Sequence, residues 1–126
     1  MSGRPHEPHY PGRAAIEAYG SGGFRFAGMS HRGSILVLPS GIWAWPPRTP
    51  QEIDAASLQR FLDERANLDL VVIGTGRDIA ALPAVRKLLR EAGLVAELLA
   101  TAAAASTYNV LLAEDRRVAA ALLAVE

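Results

Sequence analysis

The stretch from Asp69 to Leu98 limits the fold more than any other part of the chain. Asp69-Leu70-Val71-Val72-Ile73 is nearly all apolar, as a central strand covered on both faces must be. Gly74-Thr75-Gly76-Arg77-Asp78 follows as a turn, and Pro83 opens a helix that runs to Ala92. On that helix Val85, Leu88, Leu89 and Ala92 share one face, and Arg86, Lys87, Arg90 and Glu91 the other. Gly93 suits a C-cap, and Leu94–Leu98 reads as the next strand. Strand, glycine loop, helix, strand is a parallel α/β unit with a right-handed crossover. The expected fold class is therefore α/β. At 126 residues the chain holds one domain, large enough to fold without a metal or a disulfide.

Residues 1–19 read as a flexible N-terminal arm, and residues 20–126 as the α/β domain. Pro5, Pro8 and Pro11 interrupt any helix in the arm, and Ile16 and Tyr19 are placed to anchor its end. Phe24-Arg25-Phe26, Ser34–Leu38 and Ile42–Trp45 read as three short strands, with Gly28–Gly33, His31 included, as a turn between the first two. Thr49-Pro50-Gln51-Glu52 resembles a capping box, from which a helix is expected to run to Arg65 with Leu58, Phe61 and Leu62 as its buried stripe. Thr101 is placed to cap a further helix rich in Ala and Leu. Ala supplies 23 residues, so helix contacts should be close.

Composition narrows the chemistry. There is no Cys, which excludes disulfides, thiolate zinc sites, iron–sulfur ligation and a thiol nucleophile. Thirteen basic residues balance thirteen acidic ones, which argues against a binder of nucleic acid that works by phosphate neutralisation. No apolar run reaches the roughly 18 residues of a membrane-spanning helix. Nothing reads as a signal peptide. His6 and His9 flank Pro8, so they read as a polar tail rather than a metal pair. No cofactor or metal is expected.

Two sets of residues stand out as candidate sites. Gly74, Thr75 and Gly76 follow a buried strand, where outward backbone N–H groups can cradle an anion and Arg77 would add charge. The match to known phosphate loops is poor, because Ile79 stands where the dinucleotide fingerprint has its third Gly and no Gly-Lys-Ser/Thr follows. In a parallel α/β sheet this loop and the Thr101 helix lie at the same edge, so Thr107, Tyr108 and Asn109 are candidates to complete a ligand cleft. The other reading has Tyr108 and Asn109 packed within the helix–sheet interface. Trp43 and Trp45 share one face of their strand. They are core if a helix covers that face, and a partner surface if it is open. No nucleophile–base pair and no paired carboxylates are legible, so the chain reads as a non-enzyme.

Several segments together resemble a known family. Gly74-Thr75-Gly76 after a buried strand, Thr101 to Leu112 with its Thr107-Tyr108-Asn109-Val110-Leu111-Leu112, and Glu114-Asp115-Arg116-Arg117-Val118 are similar to the Mth938-like family, domain of unknown function 498. The likeness covers about residues 16–125. It implies a compact α/β domain with a mixed central sheet flanked by helices. It also implies a strand at Val118–Val125, where propensity alone favours helix. Relatives are implied in bacteria, archaea and mitochondria, the mitochondrial one an assembly factor for respiratory complex I at the inner membrane. The family usually carries Arg where Ser106 stands, so this chain has lost that group or replaced it with Arg116 or Arg77. The implied function is an accessory, assembly-type protein with a protein partner, in the cytoplasm or at the periphery of the inner membrane. The alternative is a binder of a small molecule or anion at Gly74-Thr75-Gly76.

Overall fold

The computed structural model describes residues 8–126. Strands β1 (Ile16–Gly20), β2 (Gly23–Phe26) and β3 (Met29–Arg32) form a small antiparallel sheet in that order. Strands β4 (Ser34–Leu38), β5 (Gly41–Trp45), β6 (Leu70–Gly74), β7 (Val95–Leu99) and β8 (Val118–Leu122) form the central sheet, ordered β5-β4-β8-β6-β7. Helices α1 (Gln59–Asp63), α2 (Pro83–Glu91) and α3 (Thr101–Ala113) complete the fold. β6 runs parallel to both β7 and β8, whereas β4 is antiparallel to β5 and to β8. This is the mixed sheet flanked by helices that the family likeness implies, and Val118–Leu122 is the strand that it favoured over propensity.

The alternation of side chains along each central strand builds two cores. Leu36, Leu38, Val71, Ile73, Ala119 and Ala121 point to one face, where they meet Phe61 of α1 and Val85 and Leu89 of α2. Ile35, Val37, Val72, Ala120 and Leu122 point to the other, where they meet α3 and the small sheet through Tyr108, Phe24 and Phe26. Small residues set the spacing on that second face. Ala104 and Ala105 of α3 are buried beside Ala120, so helix and sheet approach closely.

The region 49–65 departs from the expected single helix. Thr49 makes no side-chain cap, and Pro50–Glu52 is one 3₁₀ turn. Ile53 is extended at φ −78°, ψ 114°, which turns its side chain into the core. Asp54 and Ser57 then cap one another reciprocally, Ser57 N–H donating to Asp54 Oδ1 at 2.9 Å and Asp54 N–H to Ser57 Oγ at 3.0 Å. The Ser57 carbonyl, an acceptor in a continuous helix, instead takes the Trp45 indole N–H at 2.8 Å. What remains is the short α1, with Leu58 and Phe61 buried as expected.

Two strands were not legible. Met29–Arg32, read as turn, is β3, since Phe24 and Arg25 of β2 pair with His31 and Ser30. Ile16–Gly20, read as the end of the arm, is β1. The rest of the expected arm divides in two. Residues 1–7, His6 among them, lie outside the described residues. Pro8–Tyr10 lies along β5, with His9 N–H donating to Ile42 O at 2.7 Å and Ile42 N–H to Tyr10 O at 2.9 Å.

Candidate functional site

The Gly74–Gly76 loop is tied into the fold by its own polar groups. Thr75 is buried, and its N–H donates to Leu99 O at 2.8 Å. Its hydroxyl contacts Asp78 O at 2.9 Å and accepts from Ala80 N–H at 3.0 Å. Gly76 N–H donates to Thr101 Oγ1 at 3.0 Å, and Thr101 Oγ1 donates to Leu123 O at 2.8 Å. Thr101 is therefore not the cap expected of it. It is the first residue of α3, capped by Ala100, and its hydroxyl joins the loop to the segment after β8. Gly74 is needed where it stands, because a Cβ there would come within 2.9 Å of Thr101 Cα. The N–H groups of Thr75 and Gly76 thus serve the fold, and Arg77 projects outward, exposed.

Thr107, Tyr108 and Asn109 do not join that loop. Seven residues of α-helix carry Tyr108 about 10 Å along α3 from Thr101. Tyr108 is fully buried, and its hydroxyl donates to Ala14 O at 2.9 Å. Burial raises its phenol pKa well above the ordinary value. Asn109 imitates a strand neighbour: Ile16 N–H donates to its Oδ1 at 2.8 Å, and its Nδ2 donates to Ile16 O at 2.9 Å. Thr107 stands beside them, half-buried, and Ser106 is exposed. Arg117 grips Asp69 with Nη2 at 2.8 Å and Nε at 3.2 Å, which holds that carboxyl below its usual range. The residues that carry the family likeness are thus largely structural ties.

Trp43 and Trp45 are buried at 8% and 3% exposure, so the partner surface expected of them is corrected. The Arg60 guanidinium lies 3.4 Å above the Trp43 ring, and the Trp43 indole donates to Ser40 Oγ at 3.1 Å. Trp45 is held by the Ser57 carbonyl already described. The segment between β5 and α1 covers the face that had to be open.

Two concave surfaces lie elsewhere, one on the outer side of the small sheet and one between that sheet's end and the ends of β4 and β5. One cavity of about 500 Å³ is floored by Ala18, Gly20 and Gly23 and walled by Arg25, Ser30 and Arg32. A second, of about 510 Å³, adjoins it along Gly22 and Gly33, with Arg32, Arg48, Pro47 and Glu126 at its sides. Arg32 lines both. Arg25 faces Ser30 across the β2–β3 ladder, and its Nη1 donates to Ser30 Oγ at 2.8 Å. Arg32 is two residues further along β3, which puts the two arginines on a diagonal with Cβ atoms roughly 7 Å apart. The sequence offered one signal for this groove: Arg25 alternates with Phe24 and Phe26, so it had to face outward. Without β3 there was nothing to place Arg32 beside it.

His31 lies at the inner side of that sheet. Its ring centroid is 4.7 Å from that of His9, tilted by 48°. Burial lowers its pKa from 6.5, the His9 charge lowers it further, and a hydrogen bond with the Ser34 backbone opposes them. Among the described residues, no three His, Cys, Asp or Glu side chains are grouped to hold a metal.

A family model described as a protein of unknown function, DUF498/DUF598, matches residues 16–123. The chain is 42% identical over 120 residues to an uncharacterised protein of Rhodobacter capsulatus, covering 94% of this chain and 91% of that one. It is 35% identical over 109 residues to NADH dehydrogenase (ubiquinone) 1 alpha subcomplex assembly factor 3 of Xenopus tropicalis, covering 86% of this chain and 60% of the relative's length. Among solved structures, one described as an outer membrane protein of Bartonella henselae is 50% identical with a TM-score of 0.89, covering 94% of this chain and all (100%) of the other. A Mth938-like domain of Bordetella pertussis is 28% identical with a TM-score of 0.76, covering 98% of this chain and 92% of that one.

Proposed function

We propose a function for a chain that belongs to the DUF498/DUF598, or Mth938-like, family: an accessory protein that holds another protein while a larger complex is assembled. The observation that carries this reading is the 35% identity, over 86% of the chain, to a relative named as an assembly factor. The chain spans 60% of that relative's length, and the proposal assigns the role to the shared domain. The complex we have in view is membrane-bound and of the complex I kind. No described helix is long and apolar enough to cross a membrane; in this reading the chain meets such a complex from the bilayer surface. The reading places it in the cytoplasm, in peripheral contact with the inner membrane. The anion-binding alternative at Gly74-Thr75-Gly76 is less favoured, because the Thr75 and Gly76 N–H groups it requires already donate within the fold.

The test is recovery of the tagged full chain from its native cells, membranes included, with its companions identified by mass spectrometry. A reproducible partner from a membrane complex or its assembly machinery is the expected result. Folded protein at native abundance that retains no partner overturns the reading.

A further inference from the structure

We infer that the arginine-walled groove on the small sheet is the docking site for an acidic, extended segment of a partner protein. The inference rests on the accessory reading above and names the chemistry of its partner. Three guanidinium-bearing residues, Arg25, Arg32 and Arg48, line two adjoining cavities that share Arg32. Among the described residues, Glu126 is the one acidic side chain that lines either of them. In a chain whose formal charge is zero, this is a local concentration of one sign.

The floor suits a peptide backbone. Ala18, Gly20, Gly22 and Gly33 present little or no side chain along the groove, so an extended segment can lie close to the sheet while its carboxylates reach the walls. Arg25 is already oriented by Ser30, so less freedom is lost when it grips an acid. Arg25 and Arg32 stand on a diagonal of one strand pair, a separation that two carboxylates at alternate positions of an extended peptide match.

A carboxylate already lines one end of the groove. A Cβ at Gly22 would stand 3.8 Å from Glu126 Oε2 and 3.9 Å from Arg32 Nη1, so that acid and that guanidinium share the space above Gly22. The preceding residue is held there, with Gly22 N–H donating to Val125 O at 2.8 Å. Glu126 is thus an internal occupant of one end of the groove, and an incoming acidic segment competes with it.

The experiment measures fluorescence anisotropy of a fluorescein-labelled Glu-Gly repeat peptide with the full chain, at low and at physiological salt. A Gln-Gly repeat is the control. Saturable binding of the Glu peptide alone, weakened by salt, is expected. Arg32→Ala should weaken it by about tenfold and Arg25→Ala by less, since Arg32 lines both cavities. Glu126→Gln should tighten it by about threefold, a change that a merely structural role for Glu126 would not produce. All three side chains are exposed, and unchanged thermal melting confirms that the variants fold.

Absence of saturable binding overturns the inference, as does equal binding by Arg32→Ala. Tighter binding of polyuridine RNA or of anionic lipid vesicles at the same arginines also overturns it, in favour of those partners. Failure of this proposal is separable from failure of the accessory reading. A native partner retained by the Arg25→Ala/Arg32→Ala/Arg48→Ala variant sinks the groove and leaves the accessory role standing. A wild-type chain without any partner sinks the role, while the peptide measurement still decides the groove.

Discussion

Asn109 ties the outer edge of the first strand to α3. Its side-chain amide replaces both backbone bonds that a neighbouring strand would offer Ile16. Asn109→Ala leaves that donor and acceptor without partners and should cost about 2–3 kcal/mol. Urea unfolding should register the loss, and Asn109→Asp, which keeps the acceptor but not the donor, should fall between. A second residue, His31, sets a pH dependence. Its folded pKa lies below the unfolded value of 6.5, so its contribution is fully present above pH 6.5 and is lost as pH falls through the folded value. Wild type should therefore lose stability more steeply than His31→Gln as pH falls below about 6.5, as denaturant midpoints would show. Equal slopes would remove His31 from the account. Asn109 was singled out in the sequence, but as part of a cleft. Its partner is 93 residues away, and no periodicity announces a side chain that takes the place of a strand.

Among the elements, the start of α3 is where three parts of the chain meet. The Thr101 hydroxyl joins the loop after β6 to the residue that follows β8. Thr101→Val keeps the shape but strands the Gly76 N–H and the Leu123 carbonyl, and should cost about 2–3 kcal/mol. Thr101→Ser keeps both bonds and should cost about 1 kcal/mol, so comparing the two melting curves separates the hydroxyl from the methyl. The segment 49–65 carries the opposite lesson. Its apolar spacing correctly marked Leu58 and Phe61 as buried, yet the helix itself is broken. Burial of Ile53 and the claim of Trp45 on the Ser57 carbonyl outweigh the helical bonds lost. The Thr49–Glu52 pair that set the expected start makes no side-chain cap, and the reciprocal bonds fall instead between Asp54 and Ser57.

At the scale of the whole molecule, the central sheet has one edge strapped by the chain itself. Pro8–Tyr10 pairs with Ile42 of β5, and it passes so close to Gly41 that a Cβ there would meet Pro8 Cβ at 2.5 Å. Gly41 also has φ of +151°, which a larger residue resists. Gly41→Ala should therefore lift the strap while the two cores remain. Hydrogen exchange at the Ile42 amide should quicken by about tenfold or more, with amides of β6 and β8 unaffected. Uniform acceleration would mean instead that the strap is part of the global fold.

The chain's own order of residues determined the parallel unit and the layers around it. Leu70–Ile73 is apolar at every position, so it had to be central, and the α2 stripe had to lie against it. Those decisions rest on local hydrophobic pattern, which acts wherever the segment ends up. What only the tertiary structure decided was the destination of polar groups and of bulky groups at edges: Asn109 to Ile16, Thr75 and Gly76 into the fold rather than outward, Trp43 and Trp45 beneath the segment after β5, Arg32 beside Arg25. The physical reason is common to all of them. A hydrogen bond or a charge is satisfied by whichever partner the fold brings within about 3 Å, and sequence separation says nothing about which partner that will be.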